Sequence, residues 1–140
     1  MYTVSIIITA YNYDKYIERA LRSCLDQSLP RSQYEVIVVN DVSTDDTAGV
    51  LKELQQQYDN LWDVTITPDE KRELKGKKHA LSCGVAAAKY DWLVLIDADC
   101  KPASEHWLEL ADWRCSSTPS APSSVRARCW HFRTDWRGSR

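Results

Sequence analysis

The stretch Trp92-Leu93-Val94-Leu95-Ile96 is apolar at every position and stops at Asp97-Ala98-Asp99. A run without polar alternation suits a strand covered on both faces, as in a parallel sheet. In open α/β sheets ligands sit at the carboxyl ends of the strands, which is where Asp97 and Asp99 stand. One small residue separates them. In an extended turn that spacing lets two carboxylates reach one hard cation, which prefers oxygen ligands and keeps positions open for phosphate oxygens. An ordinary acidic turn fits the pair equally well, so the remaining chain must decide.

Two further runs have the same character. Val4-Ser5-Ile6-Ile7-Ile8-Thr9-Ala10 is rich in β-branched residues and reads as a first, buried strand, broken by Tyr11-Asn12-Tyr13-Asp14. Tyr34 to Val39 reads as the second strand, ending at Asn40-Asp41. Between them Tyr16, Ile17, Ala20, Leu21, Cys24 and Leu25 recur at helical spacing, opposite Lys15, Glu18, Arg19 and Arg22. Pro30 halts whatever follows that helix.

A second helix is expected after Ser43-Thr44-Asp45-Asp46. Ser43 or Thr44 can cap it, and the acids suit the positive end of its dipole. Val50, Leu51, Leu54 and Tyr58 supply its apolar stripe. Val64-Thr65-Ile66-Thr67 reads as a short third strand closed by Pro68, and the charged segment Asp69 to Lys78 as a loop. Ala80, Leu81, Gly84, Val85 and Ala88 make a helix of small residues that can lie close against a sheet. After the Asp97-Ala98-Asp99 turn, Pro102 precedes a helix beginning near Ser104, with Trp107, Leu108 and Ala111 on its apolar side. Strand and helix alternate, so residues 1–111 read as an α/β unit with a mostly parallel sheet and right-handed crossovers.

From Asp112 to Arg140 the composition changes. That segment holds one valine and no leucine, isoleucine or methionine, which leaves it no core to offer. Ser, Pro, Arg, Trp and Cys crowd it, and the lysine used freely up to Lys101 gives way to arginine. We read residues 112–140 as an irregular stretch, either a disordered basic tail or a sequence whose reading frame was lost.

Charge and length exclude several classes. A formal net charge of −2 argues against a nucleic-acid binder, which needs a strongly basic face. No apolar run approaches bilayer-spanning length, and Met1 leads into a strand pattern rather than a signal peptide. The 5 cysteines, Cys24, Cys83, Cys100, Cys115 and Cys129, are odd in number and form no C-x-x-C pair, so a reduced, cytoplasmic chain is the simplest account. Attachment to the cytoplasmic face of a membrane remains open.

Three strands therefore end in polar residues gathered on one edge: Thr9-Ala10-Tyr11-Asn12, Asn40-Asp41 and Asp97-Ala98-Asp99. A nucleotide needs a flat aromatic surface for its base, a carboxylate for base or ribose donors and a metal for its diphosphate. Tyr11, Asp41 and the Asp97/Asp99 pair offer these in turn. Each also has a plainer use: Tyr11 as a loop aromatic against the first helix, Asp41 as a helix cap.

The segments Thr3–Asn12, Val36–Thr47, Gly76-Lys77-Lys78-His79-Ala80-Leu81 and Asp97-Ala98-Asp99 closely resemble glycosyltransferase family 2, in order, over about Thr3 to Leu110. The resemblance implies a Rossmann-like GT-A fold, a nucleotide-diphosphate sugar donor (a UDP-sugar foremost), a divalent cation (Mn or Mg) and inversion at the sugar carbon. It assigns Thr9, Tyr11 and Asp41 to the base. It sets Lys77 near the diphosphate, Asp97 near ribose and metal, and Asp99 on the metal itself. Lys75, Lys77 and Lys78 are too close together to tell which points inward, and a solvated lysine or a helix-start His79 has an ordinary structural reading.

Two departures stand out. The turn after the second strand commonly carries Gly in this family where Val42 stands. If that position needs positive φ, a β-branched residue costs about 1 kcal/mol or more there. The resemblance also stops near Leu110, before the family's acceptor-binding half with the carboxylate that takes the proton from the attacking hydroxyl. Glu105, Glu109, Asp112 and Asp135 lie in no matching context, so no general base is assigned and the acceptor is unknown. A non-catalytic nucleotide-sugar binding module, or an inactive truncated fragment, is the alternative. A nucleotidyltransferase ranks below both, because Ala10-Tyr11-Asn12-Tyr13 lacks a glycine-rich loop. Zinc at Cys115, Cys129 and His131, a Cys100 nucleophile and base stacking on Trp113, Trp130 and Trp136 have little support in spacing or context.

Overall fold

Among the described residues five parallel strands form one sheet in the order β3-β2-β1-β4-β5. The structure is a computed structural model of the 140-residue chain and describes residues 3–67, 77–90, 92–97, 105–108 and 128–131. In chain order the elements are β1 (Val4–Ala10), α1 (Asp14–Leu25), a 3-10 turn (Arg31–Gln33), β2 (Tyr34–Asp41), α2 (Thr47–Gln57), β3 (Leu61–Ile66), α3 (Lys77–Ala87), β4 (Trp92–Asp97) and β5 (Arg128–His131). The chain steps outward from β1 through β2 to β3, then returns past β1 to build β4 and β5 on the other side. That reversal makes the β1–β4 junction the topological switch point, where open parallel sheets leave a crevice beyond their carboxyl ends.

The apolar runs sit where the sequence requires. Alternate residues of each strand face opposite helical layers. On one side Val4, Ile6, Ile8, Val36, Val38, Val94 and Ile96 pack with Ile17, Leu21, Cys24 and Leu25 of α1 and Leu51 and Leu54 of α2. On the other, Ile7, Ile37, Val39, Ile66 and Leu93 pack with Ala80 of α3. Gly84 lets α3 lie close: a Cβ there would stand 2.5 Å from Ile7 Cγ2 and 3.1 Å from Val39 Cγ2. Val85, one helical step from Gly84 and so off the contact stripe, is exposed.

Several expectations shift. Tyr16 lies on the shoulder of the α1 stripe and is 52% exposed, its ring edge-on to Tyr13 with centroids 6.5 Å apart. β3 runs Leu61–Ile66 rather than Val64–Thr67, because pairing begins at Val36↔Leu61 and continues through Trp62 and Asp63, whose side chains give no apolar signal together. α3 begins at Lys77, so Lys77 and Lys78 are helical rather than part of a loop, while residues 68–76 lie outside the described residues. Of the helix expected near Ser104, the described residues contain a turn at Glu105–His106 and helical Trp107 and Leu108. Trp107 and Leu108 are buried, and this segment docks on the end of α1. The Ser28 amide donates to the Glu105 carbonyl at 2.8 Å and the Leu108 amide to Gln27 Oε1 at 3.0 Å.

The segment after residue 111 also departs from expectation. Arg128–His131 forms β5 and pairs in parallel with β4, from Trp92↔Arg128 to Leu95↔His131. Backbone hydrogen bonding to an open sheet edge needs no aliphatic side chains, which is why a segment poor in Leu, Ile and Val gave no strand signal.

Candidate functional site

Of the expected site residues, Thr9, Tyr11, Asp41 and Asp97 stand at or just beyond the carboxyl ends of their strands. Thr9, half-buried near the end of β1, is the Cα partner of Val39 on one side and of Asp97, the last residue of β4, on the other. Tyr11 follows β1 directly and is 59% exposed. Asp41 closes β2, half-buried and paired in register with Ile66. Thr9 and Asp41 alternate in register with Ile7 and Val39, which pack toward α3. Lys77, exposed, is the first residue of α3. It lies about 10 Å along the helix axis from Gly84, toward the site edge. Asp99 lies outside the described residues.

The turn after β2 is strained in the manner that Val42 foreshadows. The Val42 amide donates to the Asn40 carbonyl at 3.2 Å, and Val42 has φ 54°. Among the described residues only Asn12 shares that feature, also at φ 54°. Asn tolerates the left-handed region through local hydrogen bonds, whereas a β-branched residue is an outlier there. Val42 packs against the smaller core cluster with Val64 and Leu81, so burial offsets part of the strain.

The two loops flanking the crevice are stitched together. The Asn12 amide donates to Ser43 Oγ at 3.1 Å, and Asn12 Oδ1 accepts from the Thr44 amide at 2.7 Å. Asp45 Oδ2 accepts the Asp14 amide at 3.1 Å, the first N–H of α1. Asp45 Oδ1 accepts the Thr47 amide at 3.1 Å, the first N–H of α2, and also the Thr47 hydroxyl. Burial works against this carboxylate's charge, but the bonds from Thr47 and Asp14 outweigh it and hold Asp45 below the usual carboxyl range. Neither Ser43 nor Thr44 caps α2, since both are turned to Asn12, and Asp46 at the cap position makes no side-chain capping bond. Asp45 takes the role instead. The Asp45-x-Thr47 spacing of an Asx-turn is the sequence signal for it.

His79 is buried on α3 with Nε2 3.7 Å from Cys83 Sγ, as expected of a helix-start histidine serving the structure. Among the described residues no three His, Cys, Asp or Glu side chains gather as a metal cluster. The expected donor pair nevertheless fits a hard cation in kind. Asp97 closes β4 at the switch point and the other donor, Asp99, is a second carboxylate, which are oxygen ligands of the type Mg and Mn take.

The sequence profile described as glycosyl transferase family 2 matches residues 5–138. The chain belongs to that family. A Methanococcus voltae protein named dolichyl N-acetyl-alpha-D-glucosaminyl phosphate 3-beta-D-2,3-diacetamido-2,3-dideoxy-beta-D-glucuronosyltransferase is 32% identical over 102 residues, covering 73% of this chain and 30% of the relative. Glycosyltransferase AglE of Haloferax volcanii is 33% identical over 106 residues, covering 76% of this chain and 33% of the relative. This family 2 chain thus spans about a third of the length of the curated relatives it matches. Mannosyltransferase PcManGT of Pyrobaculum calidifontis, solved with GDP-Man and Mn2+, superposes with TM-score 0.71 at 29% identity, over 84% of this chain and 33% of that one. S. aureus TarS 1-349 with UDP-GlcNAc superposes with TM-score 0.68 at 23% identity, over 87% and 37%. The fold is the Rossmann-like GT-A type, and the family match continues well past residue 111. Among the described residues no helix of this family 2 chain is long and apolar enough to cross a membrane.

Proposed function

We propose that this family 2 chain binds a nucleotide-diphosphate sugar across the carboxyl ends of β1, β2 and β4, and serves a metal-dependent, inverting transfer of the sugar to an acceptor. The observation that carries the reading is the register Thr9↔Asp97 at the switch point, with exposed Tyr11 and the strand-end Asp41 beside it. Tyr11 offers a face to the base, Thr9 and Asp41 hydrogen-bond base or ribose, and Lys77 lies toward the diphosphate. Asp97 and Asp99 hold the divalent cation, Mn or Mg. When bound, the cation supplies Lewis-acid neutralisation of the charge that grows on the departing diphosphate. The Pyrobaculum relative, captured with GDP-Man and Mn2+, supports both donor class and metal. The odd number of cysteines, with no C-x-x-C pair, supports a reducing, cytoplasmic setting, including the cytoplasmic face of a membrane.

Calorimetric titration of UDP and GDP, with and without Mn, on the chain and on Asp99→Ala tests this. We expect metal-dependent binding of one nucleotide that the substitution abolishes. Absence of binding for both nucleotides under every metal condition sinks the site assignment.

A further inference from the structure

The two oxygens of Asp45 are bonded to the starts of two different helices. It sits where it can govern both Tyr11 and Asp41. Tyr11 lies three positions before Asp14, whose amide Asp45 holds, and Asp41 lies four positions before Asp45 itself. Asn12, with its positive φ, bonds Ser43 and Thr44 across the same gap. The loop carrying the exposed aromatic and the loop carrying the strand-end carboxylate thus form one stitched unit. The positive ends of two helix dipoles converge on Asp45, which strengthens its hold relative to a neutral acceptor.

We propose that Asp45 is a positioning residue for the nucleotide: through the first amides of α1 and α2 it fixes the distance between the Tyr11 loop and the Asp41 loop. The proposal rests on the donor-site reading above. Two elements packed separately against a sheet can each be stable while their loops drift, and a loop that must be ordered on binding spends part of its contact energy on that ordering. Asp45 removes that freedom. Asp46 beside it supplies the same formal charge and makes no side-chain capping bond, so it is the natural control.

The experiment compares the 140-residue chain with Asp45→Ala, Asp45→Asn and Asp46→Ala. It reads the nucleotide Kd with Mn by calorimetry, thermal melts, and amide hydrogen exchange at residues 11–15. For Asp45→Ala we expect nucleotide affinity to fall about 10- to 100-fold, the size of losing one base contact, at a temperature where the variant is folded, with faster exchange at Tyr11 to Asp14. Asp45→Asn, which keeps one acceptor oxygen, is expected to lie between, and Asp46→Ala to match the parent. Should Asp45→Ala fail to fold, Asp45→Asn carries the same comparison. A lowered melting temperature with unchanged Kd and unchanged exchange at residues 11–15 overturns the positioning role while leaving the donor site standing. A parent chain that binds no nucleotide overturns both, the first result touching Asp45 alone.

Discussion

Thr9 and Asp97 are Cα partners across the junction where the sheet reverses its order of construction. A hydroxyl-bearing residue of the central strand therefore faces the end of the strand that leads into the second carboxylate. Everything proposed for donor binding radiates from that pairing. Tyr11 lies two residues further on, just past the end of β1, and Asp41 closes the neighbouring strand β2.

Tyr11 separates function from fold most cleanly. At 59% exposure it makes little contribution to the core, so Tyr11→Ala should leave stability within about 0.5 kcal/mol of the parent. A base stacked on its ring would lose about 1–3 kcal/mol of binding. Denaturant melts and nucleotide titration on the same sample check both halves, and a large stability loss with intact binding reverses the assignment.

Val42 should invert an ordinary ranking. At most positions glycine is less stable than alanine because its unfolded chain has more freedom to lose. At φ 54° alanine keeps the steric cost of the left-handed region and glycine does not. Val42→Gly is therefore expected to be about 1 kcal/mol more stable than Val42→Ala in urea unfolding. Equal stabilities, or the usual order, would show that the turn relaxes out of the left-handed region.

Gly84 and Gly49 should respond to alanine with opposite signs. A Cβ at Gly84 meets buried Ile7 Cγ2 at 2.5 Å, a methyl with nowhere to go, so α3 must lift from the sheet. That overpacking costs about 1–3 kcal/mol, enough to exceed the helix-propensity gain of about 1 kcal/mol. At Gly49 the new Cβ meets only the tip of the Asp46 carboxylate, which can rotate aside. Gly49→Ala should gain up to about 1 kcal/mol. Thermal melts of the two single variants decide it.

Cys24 should be inert. It is fully buried and burial pushes its thiol up to about 12, so no thiolate forms at neutral pH. Alkylation of the native protein near pH 8, read by peptide mass spectrometry, should leave Cys24 unmodified, whereas the denatured chain should label there readily. Because the folded value lies above the unfolded one, the neutral thiol's contribution to stability is complete below the ordinary thiol range near 9. It is lost as pH climbs toward 12. Rapid labelling of Cys24 under native conditions would indicate opening of the α1 face.

The parts of the fold that were legible are those where burial dictates residue type. Ile6, Ile7 and Ile8 in β1 and Val36 to Val39 in β2 lie under helices on both sides, so no polar residue interrupts them. Gly84 announced a close helix, and it is one. Legibility failed where backbone pairing or a local hydrogen bond decides instead. β3 begins at Leu61 because β2 offers it partners, and β5 forms at a sheet edge from a segment with no aliphatic pattern. At the site, strand-end positions such as Thr9, Asp41 and Asp97 could be read from where apolar runs stop. The stitching by Asn12 and Asp45 could not, since it joins residues more than thirty positions apart whose types also suit ordinary turns.

The docking of Glu105 to Leu108 beyond the end of α1 has a consequence for the order of folding. The bond from the Leu108 amide to Gln27 Oε1 joins residues 81 positions apart. A contact of that separation must overcome a long loop's closure entropy, whereas the bonds inside α1 close only short loops. It should therefore form late, after the strands it packs beside have already paired.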